Sequence, residues 1–199
     1  MSTKHIVIKY RPISTLSALT QIFEKLICKQ LVNYLERCSI LYQYQFGFRK
    51  GHSTAQAITE IADNLRKCID NNMYTCGVFL DFSKAFDTVN HSILLKKMEQ
   101  YGIRGVPLQL FTSYLTNRLQ GNTVSTQQAV TCGIPQGSSL GPVLFLIYIN
   151  DLPNCSSVLS FRILADDTNV FASAHDLRSL EQLINTVLKK VKLWCDANK

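Results

Sequence analysis

The segment SFRILADDTNVFAS, residues 160–173, places two adjacent aspartates inside an apolar run that favours a β-strand. Neighbouring side chains of a continuous strand point to opposite faces, so either Asp166 or Asp167 would enter the core. We therefore predict two short strands, residues 158–165 and 168–172, joined by a tight turn at Asp166-Asp167. On this segment alone, a two-aspartate turn exposed to water is the ordinary alternative and stays open.

A third aspartate, Asp81, stands near the end of another β-prone run, TCGVFLDF at residues 75–82. If the strands lie in one sheet, the carboxylates of Asp81, Asp166 and Asp167 meet at one edge. Two like charges ~4 Å apart repel by roughly 4 kcal/mol at an effective dielectric near 20. Such a cluster favours a hard divalent cation, Mg²⁺ first, and suits phosphoryl or nucleotidyl transfer. The alternative for Asp81 is a strand that ends in solvent.

Helical spacing of apolar residues alternates irregularly with these strands. Without a regular βαβ rhythm, the pattern predicts an α+β fold with an antiparallel sheet. In the first helix, eight apolar residues fall on one broad face: Leu16, Leu19, Ile22, Phe23, Leu26, Ile27, Leu31 and Leu35. Helices are predicted at residues 16–35, 54–69, 91–101, 105–119, 143–152 and 176–194, with a weak strand at 123–132.

The composition is that of a globular chain of 199 residues, with 46% hydrophobic residues, 18% charged residues and a net charge of +7. The positive charge suits an anionic partner such as nucleic acid, but is also common on ordinary soluble surfaces. Seven scattered cysteines without a CxxC pair predict buried, reduced thiols. No apolar stretch is long enough for a bilayer, so we expect an intracellular protein that is neither secreted nor membrane-spanning.

The decapeptide GIPQGSSLGP, residues 133–142, is the third unusual element. Its glycines let the backbone approach a ligand closely, and Gln136 offers an amide to a flat polar group. A plain loop before a helix explains the decapeptide equally well.

Five ordered motifs resemble those of the reverse transcriptases of non-LTR (LINE-type, jockey-like) retrotransposons. The palm motifs are FLDFSKAFDTVNHSILL, GIPQGSSLGPVLFLIYINDL and LADDTNVF, and the fingers motifs are YRPISTLSALTQIFEKLI and QFGFRKGHST. The resemblance implies an RNA-directed DNA polymerase that uses an RNA template, a DNA primer and dNTP. It implies a reverse transcriptase domain over 1–199, with partial helical fingers at 1–74 and mainly palm at 75–199, an antiparallel sheet backed by helices.

The resemblance also assigns roles to individual residues. It implies that Asp81, Asp166 and Asp167 are the catalytic and metal-binding residues, holding two Mg²⁺ ions with Mn²⁺ as a substitute. The residues implied to bind nucleotide are Arg11, Lys84, Ala85, Phe86, Gln136 and Gly137. Among them, Phe86 is implied to exclude a ribose 2′-hydroxyl. Arg49 and Lys50 are expected to face nucleic acid, with a solvated loop as the alternative.

The sequence ends at WCDANK, before the segments that relatives use for a general-acid lysine, the primer grip and the thumb. We therefore expect a truncated palm without a thumb and weak or absent activity in isolation. A catalytically inactive remnant that at most binds nucleic acid is the alternative. A third hypothesis is an unrelated Mg²⁺-dependent phosphotransferase, against which the Pro-Gln-Gly motif and the spacing from Asp81 to Phe86 argue.

Overall fold

The computed structural model describes residues 17–116, 119–120, 128–129, 131–135, 137–156 and 158–198. The helices are α1 (Ala18–Arg37), α2 (Thr54–Asp70), α3 (His91–Gln100), α4 (Val106–Thr116), α5 (Gly141–Ile149) and α6 (Leu177–Ala197), with a short 3-10 helix at Leu152–Cys155. The strands are β1 (Tyr74–Leu80), β2 (Leu119–Gln120), β3 (Gln128–Ala129), β4 (Ser160–Leu164) and β5 (Asp167–Ala174). Most of the strand predicted at 123–132 lies outside the described residues.

The central sheet has three antiparallel strands in the order β1-β5-β4. The strand β5 lies in the middle, since its backbone pairs on one side with β1 and on the other with the hairpin partner β4. The separate β2–β3 pair is also antiparallel. Helices and antiparallel strands are thus interspersed, and the predicted α+β class is confirmed.

The hairpin β4–β5 differs from the prediction by one residue. Leu164 pairs with Asp167, so the two-residue turn consists of Ala165 and Asp166, and Asp167 is the first residue of β5. Ala165 takes the left-handed conformation, with φ of 61°. That position of a two-residue hairpin normally takes glycine, asparagine or aspartate, which is why the sequence pattern placed both aspartates in the turn.

The core is built around α5, in which every residue except Pro142 is buried. Pro142 stands in the first turn of α5, where its missing N–H removes no helical hydrogen bond. The helix lies against α3, while α6 packs against β1 and β5. From the sheet, Phe161 and Ile163 enter the same core with almost no exposed surface.

The predicted apolar face of α1 divides into two parts. Leu31 and Leu35 are buried as predicted, but four apolar residues nearer the N-terminus are 57–79% exposed, namely Leu19, Ile22, Phe23 and Leu26. Glu24 is instead buried, with 3% exposure, on the same side of the helix as Leu31. The prediction was wrong for these four residues because it considered only apolar side chains. The buried face of α1 also includes a carboxyl group, which such a pattern leaves out.

The helix α2 begins with a complete capping box. The Ser53 hydroxyl accepts a hydrogen bond from the Gln56 backbone, and the Gln56 side chain accepts one from the Ser53 backbone. Two otherwise unpaired amide groups at the helix start are both satisfied in this way.

The seven cysteines are all free, but only Cys68 is buried, while Cys38 and Cys132 are exposed. The prediction of buried thiols is therefore wrong for Cys38 and Cys132, while the other four cysteines are half-buried against the core, namely Cys28, Cys76, Cys155 and Cys195. Among the helices that the structure describes, none combines the length and apolar character needed to cross a membrane.

Candidate active site

The three aspartates of the sequence pattern lie at one end of the sheet. Leu80, the last residue of β1, pairs with Thr168 of β5. Asp81 follows Leu80 and Asp167 precedes Thr168, so the two aspartates are neighbours across the strands, with Asp166 adjacent in the turn. Asp81 and Asp167 are exposed, and Asp166 is half-buried.

The chemistry of these side chains fits a hard divalent cation, because carboxylate oxygens are the ligands that Mg²⁺ prefers. None of the three makes a side-chain hydrogen bond or ion pair to a residue that the structure describes. Within that same part of the chain, no group of three or more His, Cys, Asp or Glu side chains is arranged to hold a metal ion. The sheet therefore brings the acids to one edge without gathering them around a single point.

The loop after β1 forms a compact turn at residues 82–88. Lys84 is exposed and left-handed, with φ of 55°, and its carbonyl accepts hydrogen bonds from Asp87 and Thr88. The Ala85 N–H donates to the Phe82 carbonyl at 3.1 Å. The Ala85 amide is therefore used within the turn, whereas the Lys84 amide has no hydrogen bond to a described residue.

Phe86 is held between two other aromatic rings. It stacks on Phe145 of α5 with ring centroids 4.6 Å apart and planes at 24°. On another side the exposed Phe48 meets it edge to face, at 6.3 Å and 85°. Both contacts fix the ring, since stacked and edge-on aromatic pairs have defined geometries.

The Gly133–Gly141 segment lies against the loop that carries Phe86. The Ile134 N–H donates to the Phe86 carbonyl at 2.8 Å, and the Gly133 N–H donates to the Val89 carbonyl at 2.8 Å. Gly137 is exposed and has φ of 98°, a conformation that favours glycine. Gln136, like Arg11, lies outside the described residues.

The buried Glu24 of α1 reaches the same segment. Its Oε2 accepts a hydrogen bond from the Ser139 backbone at 2.8 Å, and its Oε1 accepts one from the Tyr114 hydroxyl at 2.8 Å. The Tyr114 hydroxyl also lies 2.8 Å from Ser138 Oγ, which accepts from the backbone at the start of α5. Sequence reasoning missed Glu24, although a carboxyl group seven residues before Leu31 on an apolar helix face was the available signal.

Arg49 is used within the protein. Its guanidinium makes two hydrogen bonds to the Glu36 carboxylate, at 2.7 and 2.9 Å, and one to the Tyr42 carbonyl at 3.0 Å. The Arg49 side chain is only 9% exposed. Its hydrogen bonds hold the pKa of Glu36 below the ordinary value of 4.5. Lys50, in contrast, is exposed.

An antiparallel sheet whose hairpin turn carries one aspartate beside two others, backed by a buried helix, is the architecture of a polymerase palm. Two solved telomerases share this fold. The telomerase from Candida albicans aligns with a TM-score of 0.62 and 13% identity, over 86% of this chain and 32% of that one. The telomerase from Candida tropicalis aligns with a TM-score of 0.57 and 13% identity, over 87% and 32%.

The family model "Reverse transcriptase (RNA-dependent DNA polymerase)" matches residues 3–199, and the chain belongs to that family. Three Drosophila melanogaster relatives bear the name RNA-directed DNA polymerase of a mobile element, which for transposons X-element and BS reads "Probable RNA-directed DNA polymerase". Identity is 36% to that of transposon X-element, over 72% of this chain and 16% of the relative. It is 32% to that of transposon BS and 30% to that of mobile element jockey, each over 94% of this chain and 22% of the relative. The predicted resemblance to non-LTR retrotransposon enzymes is confirmed, and the chain spans about a fifth of these relatives' length.

Proposed function

We propose that this chain forms the catalytic part of an RNA-directed DNA polymerase, which adds a deoxynucleotide from dNTP to the 3′-hydroxyl of a DNA primer on an RNA template. The observation that carries the proposal is the strand register. It brings Asp81 beside Asp167, with Asp166 in the adjoining turn, in a member of the reverse transcriptase family.

Asp81, Asp166 and Asp167 would hold two Mg²⁺ ions, or Mn²⁺ in their place, and be drawn together by them. Such ions, when bound, activate the attacking hydroxyl and neutralise the charge of the leaving phosphates. The sheet would aim the carboxylates, because β1 and β4 both pair with β5 directly behind them.

The loop at 82–88 is proposed to receive the nucleotide. The exposed Lys84 would supply to the triphosphate its positive charge and its amide, which pairs with no described residue, with Ala85 as the buried support of the turn. Phe86 would form the wall beside the sugar, because its contacts with Phe145 and Phe48 leave the ring little freedom to yield to a 2′-hydroxyl.

Further contacts follow from the remaining predicted residues. Gly137, with Gln136 before it, would lie against the nucleotide or template, and Arg11 would bind the triphosphate. Lys50 is suited to a nucleic-acid phosphate, since it is exposed. Arg49 would support this loop through Glu36 and approach nucleic acid only by exchanging that ion pair.

We propose fingers for residues 1–74, palm for residues 75–199 and an intracellular location.

Primer extension tests the proposal directly. The chain is incubated with poly(A) RNA, an oligo(dT) primer, labelled dTTP and Mg²⁺, beside Asp166→Asn and the matched variant Asp70→Asn. Asp70 is exposed at the end of α2, which precedes the start of β1, whereas Asp81 follows the end of β1. We expect incorporation by wild type and Asp70→Asn and a loss of at least ~100-fold in Asp166→Asn, because a removed ligand charge weakens the metal site.

The second candidate function, a remnant that only binds nucleic acid, is favoured by one observation. The described carboxylates are not arranged as a closed metal site. Equal inactivity of wild type and Asp166→Asn, together with retained binding of the primer–template in a gel-shift assay, would establish the remnant instead.

A further inference from the structure

The turn that carries Asp166 has a conformation that its own sequence disfavours. Ala165 is left-handed, with φ of 61°, and is buried. A residue with a Cβ atom persists in this conformation only where its surroundings hold it there. The pairing of Leu164 with Asp167 constrains the strand side of the turn.

The other side of the turn is held by the loop Tyr44–Phe48. Gln45 is 3% exposed, and its side-chain Oε1 accepts two hydrogen bonds, one from the Ala165 N–H at 3.1 Å and one from the Gly47 N–H at 2.9 Å. The backbone of the loop adds two more contacts to β4. The Phe46 N–H donates to the Ile163 carbonyl at 2.8 Å, and the Ile163 N–H donates to the Tyr44 carbonyl at 3.0 Å.

The loop and the turn are also in direct steric contact. A Cβ atom on Gly47 would lie 2.3 Å from the Ala165 nitrogen and 2.9 Å from its Cα. Such distances mean that the backbones at positions 47 and 165 are in contact, so that only glycine fits at position 47. Within the described chain, Gln45 supplies the one acceptor that the Ala165 N–H has.

We propose that Gln45 is a positioning residue for the aspartates of the active site, acting through the Ala165–Asp166 turn. Oε1 of Gln45 fixes the amide that begins the turn, and the turn then fixes the direction of Asp166 and the start of β5 at Asp167. This inference rests on the proposed function, since it assigns Gln45 a role in presenting the carboxylates to metal. Removing a residue that orients a metal-binding side chain typically changes the metal affinity by 10–100-fold.

The test compares Gln45→Met, which keeps the length of the side chain without the amide oxygen, with Gln45→Glu, which keeps an acceptor. Gln43→Met is the matched control, because Gln43 is exposed two residues earlier. Two readouts need no catalysis: the hydrogen exchange rate of the Ala165 amide, followed by NMR, and Mn²⁺ affinity, measured from the EPR signal of the free ion.

In Gln45→Met we expect Ala165 exchange to accelerate about tenfold, as the loss of one hydrogen bond allows, with unchanged exchange in α5. We expect Mn²⁺ to bind about tenfold more weakly. Gln45→Glu should keep the Ala165 amide protected and bind Mn²⁺ at least as tightly, because it keeps the acceptor and adds negative charge near Asp166. Gln43→Met should match wild type in both measurements.

Unchanged Mn²⁺ affinity in Gln45→Met overturns the proposal, as does faster exchange spread evenly over Ala165 and α5, which indicates a general packing role. If Gln45→Met does not fold, Gln45→Glu decides the question, because loss of Ala165 protection in that variant also overturns the proposal. A wild-type chain that binds no Mn²⁺ overturns the proposed function instead, and Ala165 exchange still decides whether Gln45 holds the turn.

Discussion

Replacing Glu24 by alanine should destabilise the protein and release the segment around Gly137. Glu24 is buried at 3% exposure, and both of its oxygens accept hydrogen bonds, from Ser139 and Tyr114. The variant leaves the Ser139 N–H without its acceptor, which costs about 1–3 kcal/mol. The Tyr114 hydroxyl keeps Ser138 as a partner, so its loss is smaller.

The volume left by the missing carboxyl group adds to this cost, and we expect a total of about 2–4 kcal/mol. Urea unfolding measures it directly. With a slope near ~2 kcal/mol per molar urea, the midpoint should fall by about 1–2 M. Glu24→Gln keeps one acceptor oxygen and the shape of the side chain, so its midpoint should fall by less than half as much.

The exposed neighbour Lys25 provides the control, because Lys25→Ala on the same helix should change stability by less than about 0.5 kcal/mol. Limited proteolysis at Gly137 reports the local effect. Faster cleavage is expected in Glu24→Ala only. A midpoint for Glu24→Ala within ~0.3 M of wild type, or equal losses in Glu24→Ala and Glu24→Gln, would refute the argument that the two hydrogen bonds support the segment.

Three further predictions concern other contacts. Gly47→Ala should lower the free energy of unfolding in thermal melts by about 2 kcal/mol or more, because the new Cβ meets backbone atoms. Adding Ala165→Gly should raise it by no more than Ala165→Gly raises it in the wild type. The ion pair with Arg49 lowers the pKa of Glu36. The ion pair therefore stabilises the fold fully above pH 4.5, and this stabilisation is lost as the pH falls through the pKa of Glu36 in the folded state. In urea unfolding, Glu36→Gln should lose less stability than wild type on acidification. Burial lowers the pKa of Lys97, so the unfolded chain holds this proton more tightly, and the stability of wild type relative to that of Lys97→Met should rise between pH 8 and 10 in urea unfolding.

Each of these expectations has a contrary result. A gain in melting temperature from Ala165→Gly that is larger in Gly47→Ala than in the wild type would show that the methyl groups clash, and not the backbone. Parallel acid profiles for wild type and Glu36→Gln would show that the ion pair contributes no pH-dependent stability, as is the case for many exposed pairs. An alkaline profile unchanged by Lys97→Met would assign the pH dependence to other groups.

Most helices and strands could be predicted because the features that mark them, such as a helix cap or an apolar run, lie close together along the chain. Ser53 begins α2 through a hydrogen-bonding pattern three residues long, and the apolar run of α5 is buried because it has no polar face. The hairpin was expected from two charges in an apolar run, which no strand could accommodate. These inferences need only neighbours along the chain.

The supports of the site could not be predicted in this way. Glu24 and Ser139 are 115 residues apart, and Gln45 and Ala165 are 120 apart. Nothing in the local pattern of YQFGF predicts which amide the glutamine side chain accepts from. For Arg49, the local pattern predicted a different partner. Its place in a basic loop indicated a contact with nucleic acid, whereas its partner in the fold is Glu36 of α1.

The one-residue difference in the hairpin bears directly on the site. If both aspartates were in the turn, Asp167 would lie outside the paired strands, and pairing with β1 would not set the direction of its side chain. With Ala165 and Asp166 in the turn, Asp167 joins β5, and extending the register of Leu80 with Thr168 by one residue puts Asp167 opposite Asp81. Residues opposite each other in an antiparallel pair share one face of the sheet. The pairing of Leu164 with Asp167 across a two-residue turn that includes the left-handed Ala165 is therefore the feature that places Asp167 in β5, opposite Asp81.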